Sequence, residues 1–362
     1  MSILHRNYPA LLWSMFLCVL LCVWLTPSAF AASNVDGNTV AQLEAAVNNG
    51  ASTFTLNGNM EIPADTRVEA PGVCIVVPSG KTLTVKGQLN VPALKLTGGS
   101  VNLQADSKFN VYDALTYSSG SINVYAGAGV GIAGAGISSK LDTIFSFKEQ
   151  SGNINLLFYA ENANELSSVI TNTVGLSNRY HAVVCVDFDC VFSEVTTTIH
   201  EGLSLVFRRG FTLPEGCTLQ MPQVGNFIVN SGVTAEIYGT VHGSGLIVNE
   251  HGLFKLYGNA DFGKVTLNGD IATFDGTGLS VYGEMNGLNN GCPNGTLHVG
   301  GSAYVMIEAK NLNTGAIESW TVFHGDESTL LLNMGIGFNQ PTTKYVQKAG
   351  PREIFWTGRG VE

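Results

Sequence analysis

Between Ser231 and Gly287 one five-residue pattern of apolar and polar positions recurs: Ala235-Glu236-Ile237-Tyr238-Gly239, Phe254-Lys255-Leu256-Tyr257-Gly258 and Leu279-Ser280-Val281-Tyr282-Gly283. Apolar residues at the first and third positions point to one side of a strand, and the second residue and the tyrosine point to the other. The glycine then ends the strand. Val265-Thr266-Leu267-Asn268-Gly269 repeats the pattern with asparagine for tyrosine, and the four glycines lie 19, 11 and 14 residues apart. Intervals this irregular do not suit a propeller. They predict a coil of short strands joined by turns of varying length, an all-β parallel β-helix or β-solenoid.

The same alternation can be followed along much of the chain. Thr39-x-x-Gln42 is a capping box, Leu43, Ala46 and Val47 share one helical face, and Asn48-Asn49-Gly50 supplies a stop, so a short amphipathic helix is predicted. Strand-like runs follow at Phe54 to Leu56, Gly72 to Val77, Leu83 to Val85, Leu94 to Leu96, Val101 to Leu103 and Ser121 to Tyr125, whereas Ala126 to Gly136 shows no strand pattern. A second start then appears. Leu166, Val169 and Ile170 stand 123 positions after Leu43, Ala46 and Val47, with Asn164 as the expected cap and Gly175 as the stop. Glu201 to Phe207 repeats Pro71 to Val77 at an offset of 130, and Glu215 to Leu219 repeats Ser79 to Leu83 at 136. These growing offsets read as a diverged duplication: two consecutive solenoid segments, 32–140 and 141–310, each opened by a capping helix, the second near 164–174. An amphipathic helix is a common cover for the apolar end of a coil. Residues 311–362, where the pattern fades and late basic residues gather, are expected to form a C-terminal cap or tail.

At this point the chain resembles the right-handed parallel β-helix class, the pectate-lyase-like superfold, in which a short N-terminal helix precedes the first coil. The resemblance covers most of residues 39 to 305 and rests on the pattern just described. It implies one of two roles. In the first, the chain is an exported, adhesin-like surface protein contacting extracellular polysaccharide or a cell-surface glycan. In the second, it is a polysaccharide lyase or glycoside hydrolase built on the same coil. A structural spacer without a ligand is the third reading.

Composition narrows the setting. Glycine supplies 43 residues and charged residues only 13%, which suits turn-rich β structure and not a disordered polyelectrolyte. The N-terminus reads as an export signal, with His5 and Arg6, an apolar run from Leu11 to Leu25, and the small-residue pattern Ala29-Phe30-Ala31. Cleavage is expected after Ala31, since the run is shorter than the ~20 residues a spanning helix needs. The formal charge is -10 for the whole chain, and removing the leader with its one arginine leaves 17 basic and 28 acidic residues, or -11. Such a surface repels phosphate backbones and anionic lipid, which argues against nucleic-acid and membrane-surface binding, while the leader and its expected cleavage argue for a secreted or cell-surface protein without membrane insertion. Cys74, Cys185, Cys190, Cys217 and Cys292 remain after cleavage, an odd number with no metal-ligand spacing. They read as small buried hydrophobes, and Cys185 and Cys190 would face opposite sides of a strand.

Candidate chemistry is sparse. Asp187-Phe188-Asp189 would put two carboxylates on one face of a strand, where they could bind Ca2+ with a third ligand or work as acid and base in a glycosidase-like site. Arg208 and Arg209, about one coil later, are the basic candidates beside them; the alternative is a solvated acidic strand face. Tyr238, Tyr257 and Tyr282 are expected to point outward from successive coils as a ladder of rings, offering a platform for sugar rings or simply stacking on one another. His242 and His251 read as turn residues, and Asn294-Gly295-Thr296 is a glycosylation acceptor that matters only in a eukaryotic source. Ala126 to Gly136 has no lysine for a phosphate loop. No cofactor other than calcium is implied.

Overall fold

The structure, a computed structural model, describes residues 33–134, 137, 141–148, 155–174, 180, 182–286, 295–307, 321–324, 329–333, 343–347 and 353–357. The export signal at 1–31, Cys292, Asn294 and most of the 311–362 stretch lie outside these residues. The described chain winds as a parallel β-solenoid of about 12 turns. Apolar side chains at alternate positions go inward. In Thr53–Leu56, for instance, Phe54 and Leu56 are buried while Thr53 and Thr55 are half-buried outside. Among the described residues, buried apolar side chains from Leu43 to Leu330 belong to one core cluster.

Each coil presents three lateral faces. The first is continuous: Arg67–Glu69 pairs with the start of Gln88–Leu103, then come Lys108–Val124, Gly129–Ala133, Asn155–Ala160, Ala182–Val186, Leu203–Phe207, and the later parts of Thr218–Val229, Thr240–Val248, Asn259–Leu267 and Gly278–Asn286. The second, beyond the midpoint of the chain, is a separate seven-stranded sheet from Cys190–Val191 through Phe211–Leu213, Thr234–Ile237, Leu253–Leu256, Asp270–Thr273 and Leu297–Gly300 to Thr321–His324. The third carries Thr196–Thr198 and, further on, Tyr304–Ile307 and Thr329–Asn333, to which Thr343–Gln347 and Glu353–Thr357 add antiparallel. The other described pairings are parallel.

Glycine marks the corners because backbone stacks on backbone there. A Cβ on Gly258 would lie 2.0 Å from the Gly239 carbonyl oxygen, and one on Gly239 would lie 2.1 Å from that of Cys217. Real Cβ atoms do not approach oxygen so closely, so only glycine lets successive corners superpose. With three corners per coil, the recurrent pattern marks individual strands and not whole coils. Ile237 and Leu256 end second-face strands, Leu267 ends a first-face strand, and Val281 lies on the third.

Two helices interrupt the winding. Helix α1, Val40–Asn48, is capped as expected: Gln42 N–H donates to Thr39 Oγ1 (3.3 Å) and Asn38 N–H to Gln42 Oε1 (2.9 Å). Helix α2, Ala163–Asn172, starts two residues earlier than the sequence expectation. Its cap is Asn162, not Asn164; Asn162 Oδ1 accepts from Glu165 N–H (3.1 Å) while Glu165 Oε2 accepts from Glu161 N–H (2.8 Å), a reciprocal capping box. Each helix is inserted between two parallel strands that pair directly, Asn34–Gly37 with Thr53–Leu56 and Asn155–Ala160 with Ala182–Val186. The first face therefore runs straight past α2, and the two stretches share one core.

Gly129–Ala133 is a strand where none was expected. Val130 and Ile132 fill the core, and the glycine at 131 makes room for the coil beneath: a Cβ there would meet Asn110 Oδ1 at 2.3 Å. The outer face of the strand is thus supplied by a neighbouring coil's side chain, which the local pattern does not show.

The core is stiffened by a run of phenylalanines. Phe207, Phe211, Phe227, Phe254 and Phe262 are fully buried, with successive centroids between 4.4 and 6.0 Å apart. Phe227 touches three of the others. Phe227→Ala should cost about 3–5 kcal/mol, the usual range for emptying a buried aromatic site. Chemical denaturation monitored by circular dichroism is expected to show that loss, and a change below about 1 kcal/mol would mean the column does not pack as described.

Candidate functional site

Asp187 and Asp189 do not share a strand face. They sit on the corner between Ala182–Val186 and Cys190–Val191, both exposed, with Phe188 turned toward the core. Each carboxylate contacts the coil above. Asp187 Oδ1 is 3.2 Å from Arg209 Nε, and Asp189 Oδ1 accepts from Gly210 N–H at 2.9 Å. Arg208 turns the other way, with its guanidinium 5.6 Å from the Tyr159 ring centroid. Cys185 lies beneath it, outward-facing yet buried, and burial pushes its thiol above the usual range. Of the four residues singled out in the sequence, the structure brings Asp187 and Arg209 together as a clasp between coils, while Asp189 holds the Gly210 backbone and Arg208 lies over Tyr159. Among the described residues no group of three or more His, Cys, Asp and Glu side chains is clustered as a metal site.

Cys185 and Cys190 do face opposite ways, and Cys190 is in the core with its thiol pushed up to about 12 by burial. Cys74, Cys185, Cys190 and Cys217 are all free thiols.

The ring ladder exists with different membership. Tyr238 and Tyr257 stack at 4.6 Å with planes 5° apart, and Tyr257 stacks on Phe274 at 4.3 Å and 11°. These rings follow successive second-face strands in register, Ile237 with Leu256 and Leu256 with Thr273. Tyr282 is not among them. It is 53% exposed on the corner leaving the third face, since Val281 pairs there with Ile307. Phe274 takes the rung because its coil is shorter, and no glycine follows it to complete the sequence pattern.

Stacking buries ring faces and leaves edges outside. The outer face of Phe274 differs, because the next coil brings Gly300 alongside it (Thr273 pairs with Val299), and a glycine has no side chain to cover a ring. Beside the ladder runs a second outward row, Glu236, Lys255, Ala272, His298 and Val322. Lys255 Nζ donates to Glu236 Oε1 at 3.0 Å, and that hydrogen bond to the carboxylate raises the lysine pKa. The second face past Tyr238 is therefore an aromatic strip flanked by an ion pair, with a low step at Ala272 and Gly300.

Of the two histidines expected on turns, His251 is on one and His242 is not. His242 is on a strand, Thr240–Val248, and its Nδ1 is paired with the Asp261 carboxylate one coil on; His251 is on a turn with φ 62°. The partner of His242 comes from the coil register, 19 residues away.

A cleft of about 310 Å3 also escaped the sequence reading. It lies between α2 and the 190–198 corner, lined by Leu166, Ile170, Cys190, Phe192, Glu194 and Thr197 among others. Beside it His200 fixes the end of α2. Thr173 Oγ1 donates to the Val169 carbonyl (2.7 Å), so its oxygen accepts from His200 Nε2 at 2.9 Å.

Comparison of the chain with protein families, with curated proteins and with solved structures finds no match. The functional reading therefore rests on the arrangement of these side chains.

Burial holds the His200 pKa below its ordinary value of about 6.5. The unfolded chain takes up this proton first, so the neutral ring stabilises the fold fully above about pH 6.5 and that contribution is lost as pH falls through the lower folded value. Melting temperature should drop on acidification from pH 6.5, and His200→Gln should flatten that part of the profile. An unchanged slope in the variant would remove His200 from the account.

Proposed function

We propose that this chain is an exported, adhesin-like β-solenoid that contacts extracellular polysaccharide or a cell-surface glycan through its second lateral face, without catalysing a reaction. The observation that carries the reading is the stacked Tyr238–Tyr257–Phe274 strip, held on rigid parallel strands and ending in a ring face beside Gly300. Aromatic faces suit the apolar side of a pyranose, and rungs repeated every coil suit a repeating polymer. Tyr238, an exposed residue with a hydroxyl, and the Glu236–Lys255 pair supply hydrogen-bonding groups along the same strip. Right-handed winding of the pectate-lyase-like kind belongs to this proposal, as does export by the leader at 1–31. Calcium at Asp187 and Asp189 is a further part of it, to be examined by adding the ion during binding measurements.

A glycan array probed with the mature protein should give binding that falls at least tenfold in Phe274→Ala and Tyr257→Ala, with Tyr282→Ala near wild type. Cleavage of an acidic polysaccharide abolished by Asp187→Asn would overturn the non-catalytic reading. Equal loss in Tyr282→Ala would show that the strip is not the contact.

A further inference from the structure

We propose that His298 and His324 form a two-imidazole site for a late first-row divalent transition ion, Cu2+ foremost, that ties two adjacent coils together. The two residues are 26 positions apart and lie on neighbouring strands of the second face, Leu297–Gly300 and Thr321–His324. His298 Nδ1 and His324 Nε2 are 2.9 Å apart, and the ring centroids are 5.2 Å apart with planes 28° from parallel. The centroid separation is close to the nitrogen gap plus two ring radii, so the imidazoles meet end to end, nitrogen toward nitrogen. Two neutral rings in that position share one proton, as donor and acceptor.

A metal ion is the natural replacement for such a shared proton, because neutral imidazole nitrogen is the commonest protein ligand for these ions. With metal–nitrogen bonds of about 2.0–2.1 Å, two ligands at a right angle stand about 2.9 Å apart, and two at a tetrahedral angle about 3.3 Å. The observed gap, set by the shared proton, lies within a few tenths of an ångström of both. Right-angle positions belong to the tetragonal geometry of Cu2+ and Ni2+, and Cu2+ is also the tightest binder of the divalent series. The rings need only turn about their side-chain bonds to converge on one point. His324 is exposed, and Gly300, which pairs with His324, contributes no side chain to obstruct it.

The surroundings accept a cation. Along the outward row His298 is flanked by Ala272 and Val322, both uncharged. Lys255, the nearest cation in that row, stands two strands away and is neutralised by Glu236. The net charge of -10 raises the local concentration of cations generally.

Isothermal titration of the untagged full-length mature protein with Cu2+ alone should reveal one principal site per chain. His298→Ala and His324→Ala should each weaken it at least tenfold, while His251→Ala, a substitution at an exposed turn, should leave it unchanged. Electron paramagnetic resonance of the Cu2+-loaded protein should show two nitrogen ligands, reduced to one in either variant. Binding should also raise the melting temperature, since the ion fastens one coil to the next, and that rise should vanish in both variants. Wild-type affinity in both histidine variants, or an equal loss in His251→Ala, would overturn the site. If His298→Ala is itself less stable, the exposed His324→Ala decides the outcome.

Discussion

Everything in this molecule depends on one stacking constraint: the backbone of each coil lies directly over the coil before it, with equivalent residues in register. Parallel strands spaced about 4.8 Å apart bury their inward side chains against the same positions above and below. The phenylalanine run through Phe207, Phe227 and Phe254 is the clearest product, since each ring finds its partners in adjoining coils. The corner glycines are the cost of that register. At Gly239 and Gly258 any side chain would collide with the carbonyl of the corner beneath.

The same constraint organises the outside. Register brings like positions together one coil apart, so side chains form short ladders. Asn110 donates to Asn90 and Asn90 to Glu69, both at 2.6 Å, and the Tyr238–Tyr257–Phe274 rings stack on the next face. Ion pairs such as Lys86 with Glu61 (2.9 Å) and Lys264 with Glu284 (2.7 Å) arise in the same way. Exposed pairs of this kind contribute little each, on the order of 0–1 kcal/mol. Their significance is positional, because a ligand approaching the second face meets a periodic surface whose spacing is set by the backbone.

How much could be seen beforehand follows from the range over which each signal acts. Strand alternation and capping boxes are local, and so the coil, its parallel winding and α1 were legible from residues such as Phe54, Leu56, Thr39 and Gln42. The strand at Gly129–Ala133 was hidden because its outer face is filled by Asn110 from a neighbouring coil. The cap of α2 was misplaced by two residues because Asn162 and Asn164 both precede the apolar face, and only the reach of Glu165 back to Glu161 distinguishes them. Contacts between coils were the least visible. Coil length varies, so Tyr282 was expected on a rung that Phe274 occupies, and the pairing of His242 with Asp261 and of His298 with His324 has no sequence spacing to announce it.

Disulfide trapping across two coils tests the register directly. Glu236 and Lys255 are paired on adjacent strands, so their Cα atoms fall within the roughly 4.4–6.8 Å that a disulfide requires, whereas Glu236 and Tyr257 are offset by two residues and fall outside it. Glu236→Cys combined with Lys255→Cys should oxidise readily to an intramolecular bridge in the folded protein, and Glu236→Cys combined with Tyr257→Cys should not. Bridging in the second pair but not the first would contradict the stacking from which the core, the aromatic strip and the histidine pair all follow.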